Sequence, residues 1–187
     1  MGQWYVEMTN VDRCRFDAVK HVRSLFFPEW LQHVRQTTEK RLFAVGEYWS
    51  GNVEALHHFI EPTGGDVALF DAPLHYNFSR ASKAGQAYDL RTVFDNTLVK
   101  DQPTLALTLV ENHDSQPLQS LESVVEAWFK PMAYALILLR RAGRSFSAWQ
   151  ALSLCGFLLC DMKYVTENMS VAKNSKRNNK KEQRVRS

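Results

Sequence analysis

The chain has 187 residues, 45% of them hydrophobic, with 23 Lys/Arg against 20 Asp/Glu and only three cysteines. That is enough for one domain with a core. It excludes a disulfide-stapled scaffold, and no apolar run reaches the ~18 residues of a membrane span. The net charge of +3 misleads: residues 173–187 hold seven Lys/Arg against Glu182, and taking these from the totals leaves 16 basic against 19 acidic residues, so the body is mildly acidic and carries no electrostatic footprint for nucleic acid.

Apolar runs alternate with helical patterns, the signature of parallel β/α units. The first strand ends near Asp17 in Cys14-Arg15-Phe16-Asp17. A helix follows from Pro28, with Trp30, Leu31 and Val34 on one face. The second strand, Leu42–Val45, ends at Gly46-Glu47. Asn52 is placed to cap the next helix, whose buried stripe is Val53, Leu56 and Ile60. Thr63-Gly64-Gly65-Asp66 reads as a turn and Val67–Phe70 as the third strand, with Asp71 a structural or peripheral residue at its end. Short helices are expected over Ser79–Phe94. The fourth strand is Leu105–Val110, and a helical region over Leu121–Arg141 should break or kink at Pro131.

Past Ala142-Gly143 the texture changes. The expected organisation is residues 1–141 as half of a β/α barrel, 142–170 as an irregular or helical segment, and 171–187 as a basic, disordered tail. No fifth strand is legible. His33, His57, His58 and His75 have no metal-like context and read as surface or helix residues. Cys14, Cys155 and Cys160 fit a reducing compartment, and the absence of a charged-then-apolar leader at Met1 points to the cytoplasm.

Three short, β-branched or aromatic runs thus end in acidic residues: Phe16-Asp17, Gly46-Glu47, and Val110-Glu111-Asn112-His113-Asp114. In a β/α barrel, catalytic groups sit where strands end and loops begin. Two carboxyl groups flanking a bond, one ionised and one protonated, suit glycoside hydrolysis. Arg15 beside Asp17 would supply the asymmetry, and the aromatic neighbours of Glu47 would desolvate it.

The segments Arg13-Cys14-Arg15-Phe16-Asp17-Ala18-Val19-Lys20-His21, Val45-Gly46-Glu47-Tyr48-Trp49 and Val110-Glu111-Asn112-His113-Asp114 resemble three ordered motifs of the alpha-amylase family of glycoside hydrolases, in its liquefying and cytoplasmic bacterial-type branch. The flanks Leu69–Leu74, Gln116-Pro117 and Trp128–Ala135 are similar to the same branch. The resemblance implies an α/β fold, a partial (β/α)8 barrel covering about its fourth to seventh units, and endo-acting, retaining cleavage of alpha-1,4-glucosidic bonds in starch- or glycogen-type glucans. It implies Asp17 as nucleophile, Glu47 as general acid/base and Asp114 as transition-state stabiliser. Arg15, Lys20, Trp49 and His113 would bind substrate or support the carboxylates, and the backbone carbonyl of His21 would face a structural Ca2+.

The family's first motif, its calcium-bearing insertion and its eighth strand find no counterpart here. The chain is therefore expected to be a fragment, inactive alone or a residual glucan binder, and prone to self-association through the open barrel face.

Overall fold

A computed structural model describes residues 2–140, 144–146 and 159–160. Six parallel strands form one sheet in the order β5-β4-β3-β2-β1-β6. They are β1 (Arg13–Phe16), β2 (Phe43–Gly46), β3 (Ala68–Phe70), β4 (Ala106–Leu109), β5 (Arg144–Phe146) and β6 (Leu159–Cys160). Each of the first four is followed by a helix: α2 (Phe26–Thr38), α3 (Val53–Ile60), α4 (Ala72–Ala84) with the short α5 (Leu98–Asp101), and α6 (Lys130–Leu139). A further helix, α1 (Gly2–Thr9), precedes β1 and packs on α2. The result is the expected α/β architecture, an unclosed arc of β/α barrel.

The pleat sends alternate residues to opposite faces, and the sequence uses both. Cys14, Phe16, Ala44, Leu69 and Ala106 point to the helices and join Phe27, Leu31, Leu56, Phe78 and Phe129 in the large core. Val45, Phe70 and Leu109 point inward and form a smaller cluster with Trp49 and Ala72. This is why the strands read as continuous apolar runs rather than alternating ones.

Local signals hold closely. Asn52 caps α3 by accepting from the Glu54 N–H, and Gly64 and Gly65 take positive φ in the expected turn. Helix α2 begins two residues before Pro28, and Leu31 and Val34 are buried. Two expectations are corrected. The region from Leu121 is not helical until Lys130; Pro131 lies in the first turn of α6, where its missing N–H has no intrahelical partner to lose, so it starts the helix instead of kinking it. The segment 79–94 begins within the long α4 and ends in two single 3-10 turns.

A fifth and a sixth strand are also present where none was legible. β5 pairs with β4 over Leu107↔Arg144 to Leu109↔Phe146, and β6 pairs with β1 at Arg15↔Leu159 and Phe16↔Cys160. Three- and two-residue strands are too short to display a period; what brings them in is the row of unpaired backbone groups on the edges of β4 and β1. Nothing pairs β5 with β6 among the described residues, so the barrel stays open. The remainder of 142–170 and the tail 171–187 lie outside the described residues.

Candidate active site

Glu47, Asp17 and the Asn112–Asp114 loop follow the carboxyl ends of β2, β1 and β4, so the parallel sheet delivers them to one rim. Glu47 is held hardest. Its N–H donates to the Phe16 carbonyl at 2.8 Å and its carbonyl accepts from the Val19 N–H at 3.1 Å. Gly46 permits this: a Cβ there would meet Leu69 Cδ2 at 3.0 Å and Val19 Cγ1 at 3.1 Å. Between Asp17 and Val19 the chain turns through Ala18 in the left-handed region (φ 45°), a strained conformation for a residue with a Cβ, of order 1–2 kcal/mol.

One guanidinium nitrogen joins the two carboxylates. Arg15 Nη2 lies 2.9 Å from Asp17 Oδ1 and 2.6 Å from Glu47 Oε2. The two contacting oxygens therefore lie no farther apart than the sum of these distances. The Arg15 guanidinium sits 5.9 Å over the Phe70 ring, whose apolar face limits its hydration. Glu47 is 4% exposed, and its carboxyl is pushed up to about 7. Burial is the main cause, followed by the hydrogen bond to Asp17; the charge of Arg15 opposes them, and the charges of Asp17 and Asp114 add to them. Arg15 thus stands beside Asp17 as expected but grips Glu47 as well, where desolvation outweighs it. Asp114 is close enough to act on Glu47, which brings all three expected acids together.

The expected substrate contacts divide. Lys20 and His21 are exposed on the single turn Val19–His21, and neither bonds to the carboxylate cluster. His113 is exposed, with Nε2 3.5 Å from Asp114 Oδ2. Trp49 does not offer a free face: it is 6% exposed, donates its indole N–H to the Tyr76 hydroxyl at 2.9 Å, and packs 5.2 Å from the His75 ring. Trp49 is instead part of the inner core. His75 is fully buried, with Nδ1–H donating to the Val110 carbonyl at 2.6 Å and Nε2 2.7 Å from Ser123 Oγ. Asp71 is buried too, accepting the N–H groups of Leu74, Leu98 and Val99, a structural role as expected.

No three or more His, Cys, Asp or Glu side chains converge as a metal group among the described residues. Calcium takes about six to eight oxygens, so the lone His21 carbonyl does not make a site, and no step is derived through the ion. No helix among the described residues is long and apolar enough to cross a membrane.

One residue of the site went unassigned in the sequence. Asn112 Nδ2 donates to Glu47 Oε1 at 3.2 Å. The legible signal was Asn112 followed three residues later by Ser115, a pattern of side-chain-closed turns.

No protein-family model matches the chain. It is 57% identical over 142 residues to an alpha-amylase of Geobacillus stearothermophilus and 51% identical over 142 residues to the cytoplasmic alpha-amylase of Escherichia coli K12. Each match covers 76% of this chain but only 26% and 29% of the relative, so the chain spans about a quarter of the curated relatives' length. In structure, an Anoxybacillus alpha-amylase superposes with a TM-score of 0.51 at 24% identity, over 60% of this chain and 25% of the other, which shows the shared fold. Over its matched three quarters, this chain belongs to the alpha-amylase family of glycoside hydrolases.

Proposed function

We propose that the rim formed by Asp17, Glu47 and Asp114 is the acid/base and nucleophile centre of a retaining, endo-acting alpha-1,4-glucan hydrolase. The observation that carries the reading is the single Arg15 nitrogen shared by Asp17 and a buried Glu47 with a carboxyl near 7. The upper bound this sets on the separation of their contacting oxygens suits a retaining pair, at about 5–5.5 Å, and falls below the about 6.5–9.5 Å of an inverting pair. An acid that titrates near neutrality is suited to both halves of the reaction.

In the first half, an Asp17 carboxylate oxygen forms a bond to the anomeric carbon as the glycosidic C–O bond breaks, and the Glu47 proton passes to the departing oxygen. In the second, Glu47 takes a proton from water, the water oxygen bonds to the anomeric carbon, and Asp17 leaves. Asp114 would hold sugar hydroxyls as positive charge develops on the ring, and the exposed Lys20 and His113 would reach the outer hydroxyls. A calcium ion on the His21 carbonyl would need further oxygens from beyond the described residues. The proposed setting is cytoplasmic and reducing, in keeping with the buried thiol of Cys14, whose Sγ lies 3.7 Å from the Phe43 carbonyl oxygen.

A second reading, glucan binding without turnover, is favoured by one observation: the sheet ends unclosed at β5 and β6, leaving part of a barrel rim unbuilt. The chain should then hydrolyse little or no starch by itself. Alpha-maltosyl fluoride separates the readings, because fluoride departs without needing protonation. Fluoride release by the chain, lost in Asp17→Asn and kept for the first turnover in Glu47→Gln, supports the catalytic assignment. Maltooligosaccharide binding by calorimetry without fluoride release supports the binder. Neither binding nor release would overturn both.

A further inference from the structure

His75, in the first turn of α4, is completely buried, and the proposed reaction makes no use of it. Its ring reaches both ends of the loop that carries Asp114. Nδ1 is 2.6 Å from the carbonyl oxygen of Val110, just past β4, and Nε2 is 2.7 Å from Oγ of Ser123, where the loop returns. A carbonyl oxygen can only accept, so Nδ1 carries a hydrogen. The Ser123 hydroxyl either donates to a bare Nε2 or accepts from a protonated one while donating to the Leu121 carbonyl, 2.7 Å away. The ring therefore joins the two ends of the loop whether it is neutral or charged. Burial lowers its proton affinity, against the Val110 contact and the charge of Glu111 after β4, while Lys83 on α4 adds to the lowering. Its other neighbours are the rings of Trp49 and Tyr76.

What the ring fastens is the support of Asp114. The Leu121 N–H donates to the Asp114 carbonyl at 3.2 Å, and the Ser123 N–H to the Ser115 carbonyl at 3.1 Å, so the returning stretch 121–123 holds 114 and 115 by their backbone. On the outgoing side, Asn112 Oδ1 accepts from the Ser115 N–H at 2.9 Å, and the Asn112 N–H donates to Ser115 Oγ at 3.0 Å, closing the turn around Asp114. We infer that His75 is a positioning residue for Asp114: from α4 it ties the end of β4 to the returning stretch 121–123, and so fixes the loop that presents this acid at the rim. The inference rests on the reading of Asp114 as a sugar-holding acid and adds to it what keeps that acid in place.

Two substitutions separate the two contacts, because the amide nitrogen of Asn falls near the place of Nδ1 and that of Gln near the place of Nε2. His75→Asn keeps the Val110 contact and gives up Ser123; His75→Gln does the reverse. The measurement is amide hydrogen exchange on the intact chain. The N–H groups of Leu121 and Ser123 should exchange about tenfold or more faster in both variants, while those of Glu47 and Leu69, bonded within the sheet, stay as in the wild type. Acceleration of all four together would make His75 a general support of the fold, and no acceleration would mean that the loop is held without it; either result overturns the inference. Should one variant fail to fold, the other decides. The imidazole nitrogen spectrum of the wild type needs neither: Nδ1 bearing a hydrogen is expected, and a bare Nδ1 would overturn the inference.

Maltooligosaccharide affinity, read by calorimetry, follows the acid itself. His75→Asn should weaken binding, and should weaken it hardly further in an Asp114→Asn background, since both substitutions remove the same contact. Losses that multiply would show that His75 acts other than through Asp114 and would overturn the inference. A wild-type chain that neither binds sugar nor releases fluoride would instead sink the proposed function, and the exchange rates would still decide what holds Asp114.

Discussion

At the scale of single residues, the site is an arrangement for keeping one buried acid protonated. The folded chain holds the Glu47 proton more tightly than the unfolded chain does, with a midpoint near 7 against 4.5. The resulting contribution to stability is complete below about pH 4.5 and is lost as pH rises through 7; it amounts to about 3 kcal/mol. Urea unfolding midpoints should therefore fall between about pH 5 and 8 in the wild type, and fall much less in Glu47→Gln. An equal decline in both proteins would show that Glu47 is not the group responsible. Asp17, Glu47 and Asp114 were legible in the sequence because they stand in three ordered segments that resemble alpha-amylase motifs, each at or shortly after the end of an apolar run. Trp49 was misread because a strand-end aromatic looks the same whether it faces a ligand or, as here, Tyr76 and His75. Asn112 was passed over because its task, holding a carboxyl oxygen, leaves no mark beyond an ordinary turn sequence.

At the scale of elements, backbone closeness between β1 and β2 sets the spacing of the acids. Gly46 stands where a methyl group would press on Leu69 and Val19, and Val19 in turn donates its N–H to the Glu47 carbonyl. Gly46→Ala should cost about 1–3 kcal/mol, read by urea unfolding, and should disturb the Glu47 titration as well, since relief comes by moving the turn after Asp17. On the next strand, Asp71 ties the start of α4 to the start of α5 through three backbone N–H groups while fully buried. Its carboxyl is raised by burial, against the pull of those hydrogen bonds. Asp71→Ala leaves those donors unpaired, and a loss of about 2–4 kcal/mol is expected, with little change if the loop before α5 is instead solvated. Helices with strong stripes and caps, α2 and α3, were legible from Leu31, Val34, Asn52 and Leu56. The boundaries of α4 and α6 were not, because tertiary packing, not periodicity, decides where those helices begin and end: Ser79 and Ser82 lie buried inside α4, and Pro131 serves as a start.

At the scale of the whole molecule, the parallel arc explains both the rim and its incompleteness. The inner cluster of Val45, Trp49, Phe70, Ala72 and Leu109 is itself buried, with partly buried Phe43, Tyr76, Leu107 and Leu121 packed against it. Outside it, Trp4, Met8, Trp128 and Leu139 are largely exposed. With net stability of ordinary domains at only ~5–15 kcal/mol, such surfaces favour association. Light scattering should show oligomers whose population falls on dilution; a monodisperse monomer with a cooperative melt would contradict this. The barrel class was legible from alternating strand and helix patterns, whereas β5 and β6 were not, since pairing to a free edge needs no distinctive side chains.

The central claim is that the acids after β1, β2 and β4 meet at one rim, and the Glu47 titration reads this most directly. The wild-type chain should titrate Glu47 near pH 7, with the midpoint falling in Asp17→Asn and, by a smaller step, in Asp114→Asn, because the charges that oppose its ionisation are removed. A midpoint near 4.5 that neither substitution moves would contradict the account.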